Sequence, residues 1–382
     1  MHRITERARA TSARRLVVVV AIGAVLGLAI AAAVIAERAG GTPDAGRPAG
    51  HSVTAPSGGT ASATSGSRGS ARHSSRPGRQ QPSTTATSPA SAAAACGGSA
   101  FTVGSQSWPD CADTGVPAGV TLKPITSPAP TRNGDSYVTQ ITKNGTVIDG
   151  VNLTGSFDVW ANDVTIENSR ITTTNWWGIN LRQGFTGLKV LHDTIVGVPG
   201  KGIDNGGEDY GVSSSGGSVE VGWTNISEVG EGLSMDTGYI HDNYVHDLQA
   251  FVPQGASDYE HTDDVISDGG SGLTVEHNTL LNQLPADLGA SASVGLYADT
   301  GPPSDDIVED NFIAGGSYAI YPGGPSGTHG IVVEDNVFST MYWSGSGIYG
   351  PVPGSYWDTG GGNIWSDNTW AGGSLFGRKI SL

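Results

Sequence analysis

The chain has 382 residues, 58 of them Gly, with charged residues at 15% and only two Cys. An average domain carries about 25% charged residues, so this balance argues against helical bundles and coiled coils, and two Cys exclude a disulfide-dense scaffold. Residues 1–95 carry a net charge of +8 and residues 96–382 a net charge of −24; the acidic part repels nucleic acid and suits neutral or cationic polymers, metal cations, or polyanions bridged by a cation.

Residues 1–15 form a basic segment with Arg3, Arg7, Arg9, Arg14 and Arg15. Residues 16–36 are an apolar run broken only by Gly23 and Gly27, long enough for a bilayer core. With the basic flank held in the cytoplasm, the rest of the chain is expected outside: anchored to the membrane in a type II orientation, or secreted if the segment is cleaved after Ala36. Residues 37–95 are Ser, Thr, Ala, Gly and Pro with scattered Arg and no aromatic residue, a composition that cannot offset ordering entropy. This stretch reads as a disordered tether or a glycosylated stalk. Cys96 and Cys111 follow on the exported side, where thiols oxidise, and are expected to form a disulfide worth about 3 kcal/mol.

From residue 147 onward one pattern recurs: alternating apolar residues, two polar ones, any residue, then an apolar one. It reads VTIENSRI to Ile171, LKVLHDTI to Ile195, VEVGWTNI to Ile226, GYIHDNYV to Val245, LTVEHNTL to Leu280, DIVEDNFI to Ile313, IVVEDNVF to Phe338 and NIWSDNTW to Trp370. Between these copies runs a small–apolar pair: Gly178-Ile179, Gly202-Ile203, Gly232-Leu233, Asp264-Val265, Gly295-Leu296, Ala319-Ile320 and Gly347-Ile348. Each turn thus carries at least two strands. The spacing predicts an all-β domain over 96–382, a right-handed parallel β-helix wound as a single solenoid, monomeric, and not a propeller, whose period would be longer. Asn243, Asn278, Asn311, Asn336 and Asn368 recur at one place in the pattern and are expected to stack as a ladder that satisfies backbone groups at a tight bend.

TGVPAGVTL at Thr114, GTVIDGVNLTG at Gly145, NDVTIENSRI at Asn162, HDNYVHDL at His241, HTDDV at His261, VEHNTLLN at Val275, YGPVPGSYWD at Tyr349 and GNIWSDNTW at Gly362 carry a resemblance. Over residues 110–372 the chain resembles the right-handed β-helix proteins of the pectate-lyase-like superfamily, especially secreted actinobacterial members. The resemblance implies a carbohydrate-active protein, either a polysaccharide lyase or a glycoside hydrolase, because the fold hosts several chemistries.

Adjacent turns of such a coil lie about 4.8 Å apart, so chemistry is sought in columns. Two residues before the apolar anchor of the small–apolar strand, the expected column reads Trp177, Lys201, Glu231, Asp263, Val294, Tyr318 and Ser346. Glu231 and Asp263 supply an acid pair, Lys201 a cation, and Trp177, Tyr318 and Tyr349 sugar-stacking surfaces, the parts that cleavage of a glycan requires. His261-Thr262-Asp263-Asp264-Val265 looks like the catalytic-acid motif of polygalacturonase-type hydrolases, with Asp263 at the acid's position. The aspartate expected one turn later is missing, so Asp263 would pair with Glu231 or Asp264. His261 follows the longest loop and joins the candidates.

A lyase would use other parts: Ca2+ held by carboxylates, for which Asp258, Glu260 and Asp268 stand ready, and a base such as Lys201 or Arg182. A non-catalytic glycan-binding or surface-adhesion β-helix would use the same aromatics, with the acids merely solvated.

Overall fold

The computed structural model describes residues 101–133, 136–199, 209–253, 256–324 and 327–382. The basic segment, the apolar segment 16–36, the tether and Cys96 lie outside the described residues; among the described ones no helix is long and apolar enough to cross a membrane. Cys111 is not a free thiol.

Three parallel sheets dominate, and consecutive strands of the chain enter them in rotation, which is the pattern of a solenoid with three strands per turn. The sequence pattern requires at least two. Its longer repeat spans two strands and the bend between them: Thr165–Glu167, for example, lies in sheet I and Arg170–Thr173 in sheet II. The small–apolar pair belongs to sheet III, as in Trp177–Leu181. Sheet III also gains one antiparallel edge strand, Thr131–Asn133, paired with Ser136–Ile141.

Alternation sets the core. Ile166, Val190, Val221, Ile240, Val275, Val308 and Val333 form a buried column in sheet I, Ile171 to Phe338 do so in sheet II, and Ile179, Val212, Leu233, Val265, Val294 and Ile320 in sheet III; all belong to one cluster. At the corner between sheets I and II each turn passes through a left-handed residue, among them Asn168, His192, Asp242, His277, Asp310, Asp335 and Asp367. Asn, Asp and His tolerate that conformation better than other side chains. The next residue in each of the last five turns is a ladder Asn. Asn243 Nδ2 donates to Asn278 Oδ1 at 2.9 Å, Asn278 to Asn311 at 2.9 Å, Asn311 to Asn336 at 2.9 Å and Asn336 to Asn368 at 3.0 Å. Each Oδ1 also accepts the backbone N–H of the ladder Asn in the preceding turn, as Asn278 Oδ1 does from Asn243 at 2.9 Å. Two turns before Asn243 the column holds Asp193, whose Oδ1 accepts the Ser169 N–H at 2.6 Å; complete burial pushes this carboxyl well above its usual range.

The N-terminal stretch beginning at Phe101 crosses the outer face of sheet II. Phe101 and Trp108 pack on Phe312 and join a second apolar cluster with Tyr244, Leu281 and Val337. Thr279 Oγ1 donates to the Pro109 carbonyl and the Gly115 amide to the Trp223 carbonyl. The outer face of sheet III carries no such strap from this segment, and the candidate chemistry lies there.

Candidate functional site

The register of sheet III fixes which residues share a column. Trp177 pairs with Tyr210, Tyr210 with Glu231, Glu231 with Asp263, and Asp263 with Ala292. Two expected members are therefore replaced. Lys201 lies outside the described residues, and the strand of its turn is Tyr210–Ser214, anchored by Gly211-Val212 and not by Gly202-Ile203. Val294 is an inward anchor paired with Val265, and Ala292, two residues before it, takes the place opposite Asp263 in the outer column. Ser346 is also misplaced: Tyr318 bridges to Gly350, and the buried Ser346 hydroxyl donates to the Ile313 carbonyl instead.

Asp263 and Asp264 face opposite ways. Asp264 follows Gly178, Gly211 and Gly232 in an inward column, where a Cβ on Gly232 would meet Val245 Cγ1 at 2.6 Å and the Asp264 carbonyl at 2.5 Å. Its carboxyl lies on the sheet II side, towards the Ser293 hydroxyl and the Leu281 amide, and burial pushes its pKa well up. Asp264 is thus set apart from the groove. Asp263 faces outward: its Oδ1 accepts the Tyr297 hydroxyl at 3.1 Å, and Tyr297 packs with Ile266, Ala292 and Tyr321 in a cluster separate from the core.

Glu231 and Asp263 are neighbours on adjacent strands, the pairing that the sequence suggested. Glu231 is only 6% exposed and Asp263 0%. Burial first, then the charges of Asp263, Asp209, Asp268 and Glu260, push the Glu231 carboxyl well above its usual range, which favours its neutral form. Its Oε2 has no hydrogen-bond partner among the described residues. Burial and the carboxylates of Glu231, Asp209, Asp268 and Glu260 also raise Tyr210. His261 is partly buried two residues before Asp263, and its amide donates to Glu260 Oε1 at 3.3 Å.

Aromatic rings flank the acids on both sides. Towards the N-terminal turns, the Arg182 guanidinium lies 4.7 Å from the Trp177 ring centroid and 5.2 Å from that of Trp160, and is paired with the buried Asp158. Towards the C-terminal turns, Tyr318, Tyr321, Tyr349 and Tyr356 contact one another edge to face or tilted, with centroids 5.1–5.8 Å apart. Tyr349 is 64% exposed. Trp177, Tyr318 and Tyr349 thus bracket the acid pair along the sheet.

The residues suggested for Ca2+ do not converge. Asp258 is exposed, Glu260 and Asp268 are half-buried, and among the described residues no group of three or more His, Cys, Asp or Glu side chains is placed to hold a metal ion. The sequence reading missed Tyr210, Tyr297 and the Asp158–Arg182 pair. Tyr210 was hidden by a competing Gly–apolar pair, Gly202-Ile203, nine residues before Gly211-Val212. Tyr297 follows its strand and folds back over Gly295, where a Cβ would lie 2.3 Å from the Tyr297 ring; only the lack of a side chain at 295 pointed to it. No protein family, curated protein or solved structure matches this chain.

Proposed function

We propose that the protein is an exported β-helix of the pectate-lyase-like type, right-handed and held at the cell surface through residues 16–36, that binds a polysaccharide along sheet III and hydrolyses it. The observation that carries this reading is Glu231: a buried carboxyl pushed towards its neutral form, with no partner for Oε2 among the described residues, one strand from an outward-facing Asp263. Two carboxyl groups with separated proton affinities are the minimum equipment for glycoside hydrolysis.

The roles follow from the surroundings. Glu231 donates its proton to the glycosidic oxygen as the bond to the anomeric carbon breaks. Asp263, whose Oδ1 receives the Tyr297 hydroxyl, acts as the carboxylate. Neighbouring strands are about 4.8 Å apart, close to the roughly 5–5.5 Å that separates the carboxyls of retaining enzymes. Asp263 therefore forms an ester with the anomeric carbon; water then cleaves that ester while Glu231 takes up the water's proton. The lyase alternative lacks support in the described residues, since Arg182 is held by Asp158 and no metal ligands converge.

The complete burial of Asp263 favours a second reading, a glycan-binding face without cleavage. An assay of reducing ends on soluble glycans separates the two. Hydrolysis predicts new reducing ends, with the β or α configuration of the substrate preserved in the first product seen by proton NMR, and none from Glu231→Gln. Binding without reducing ends leaves the adhesion reading standing alone.

A further inference from the structure

Given the glycan groove proposed on sheet III, on which this inference rests, we infer that its N-terminal half is a subsite for an uncharged sugar, whose hydroxyl groups are read by Asn180, Ser213 and Ser234. These residues share one column. Asp158 pairs with Asn180, Asn180 with Ser213, Ser213 with Ser234, Ser234 with Ile266, Ile266 with Gly295 and Gly295 with Tyr321. The core residues Phe157, Ile179, Val212 and Leu233 each precede a polar member by one position, so strand alternation turns Asp158, Asn180, Ser213 and Ser234 to the outer face. The column changes character at one place. It is polar as far as Ser234 and apolar from Ile266 onward, where the Tyr297 ring covers Gly295 and Tyr321 joins the same cluster. That change falls between the strand of Glu231 and the strand of Asp263. A ligand lying across the acid pair therefore meets hydrogen-bonding groups on one side and aromatic rings on the other.

Asn180 shows what the polar half is built to receive. It is 3% exposed, yet its Oδ1 has no hydrogen-bond partner among the described residues. The indole Nε1 of Trp177, on the same strand, is buried and likewise unpartnered among them. One acceptor and one donor are what a hydroxyl group completes, because it both gives and receives a hydrogen bond. A carboxylate only receives, and would leave Asn180 Oδ1 facing a second acceptor. The guanidinium of this half, Arg182, is paired with Asp158 and lies over the rings of Trp177 and Trp160. Ser213 and Ser234, both half-buried, carry the row of hydroxyls towards the acid pair, about 10 Å from Asn180 at two strand spacings.

The test measures the affinity of the full chain for soluble galactomannan, mixed-linkage glucan and dextran, with polygalacturonate as the charged probe and reducing ends recorded separately. The inference predicts binding of a neutral polymer and none of polygalacturonate. Asn180→Ala should weaken that binding roughly tenfold without lowering the melting temperature, since it removes an unpartnered buried group. Ser213→Ala/Ser234→Ala, which changes two half-buried hydroxyls, should weaken it as well. Tyr349→Ala reports on the groove itself. Affinity lost in Tyr349→Ala but unchanged in both polar variants overturns the inference and leaves the groove standing; affinity unchanged in all three removes both. Binding of polygalacturonate alone, or of no polymer, also overturns it. Affinity that falls only in Asn180→Ala, together with its melting temperature, marks Asn180 as structural and overturns it too. Weaker binding in both polar variants, with no reducing ends from the wild-type chain, upholds the inference and removes the hydrolytic reading instead.

Discussion

Two stacks of buried polar residues run along this solenoid, and they differ in how completely they are satisfied. At the corner between sheets I and II, Asn243 to Asn368 both give and receive hydrogen bonds turn after turn, and no side-chain atom of these five is left without a partner. On the outer face of sheet III, Trp177 Nε1, Asn180 Oδ1 and Glu231 Oε2 have none among the described residues. A buried polar group without a partner costs about 1–3 kcal/mol. The five-Asn stack is therefore read as structure, whereas the unpartnered groups on sheet III fit the ligand site proposed above.

Substitutions can break either side of that contrast. The largest effect is expected from Glu231→Gln, which should lower the rate of glycan cleavage by roughly 10²–10⁴-fold while raising thermal stability at neutral pH. Glu231 has a folded-state pKa above its unfolded value, so its ionisation opposes folding above the unfolded pKa. The stabilising effect of Gln should thus vanish below about pH 4 and grow as pH rises towards the folded value, which melting curves across pH would show.

Asn278→Ala cuts the ladder at its centre. It removes the acceptor for the Asn243 amide and for Asn243 Nδ2, and should cost roughly 2–5 kcal/mol in urea unfolding. Asp193→Asn should do the opposite. An amide needs no buried charge at a ladder position, so stability should rise by about 1–2 kcal/mol near neutral pH and match wild type in acid, where Asp193 is protonated in both states. The smallest effect is expected from Tyr297→Phe. Without the hydroxyl at 3.1 Å, Asp263 becomes harder to ionise, and the acidic limb of the rate profile should move to higher pH with a several-fold loss of rate. An unchanged limb would leave Tyr297 as packing alone.

The Asn ladder was legible in the sequence because its residues are locked to the apolar anchors of two strands, with a bend of constant length between them. The core columns were legible for the same reason. Sheet III was read less well: loops of variable length precede each of its strands, so Gly202-Ile203 and Gly211-Val212 competed for one place, and only pairing with Trp177–Leu181 decides for the second. The pairing of Val294, and not of Leu296, with Val265 likewise appears only in three dimensions, and it places Ala292 in the column meant for Val294. The Glu231–Asp263 pairing survived because no shift separates those two strands.

The central claim is that Glu231 holds its proton at neutral pH, and carbon NMR of the labelled side-chain carboxyls tests it most directly, with Glu231→Gln identifying the resonance. A Glu231 carboxyl still protonated at pH 7 is the predicted result. A resonance that titrates near the ordinary glutamate value of about 4.3 would contradict the account and return the acidic face of sheet III to a solvated surface.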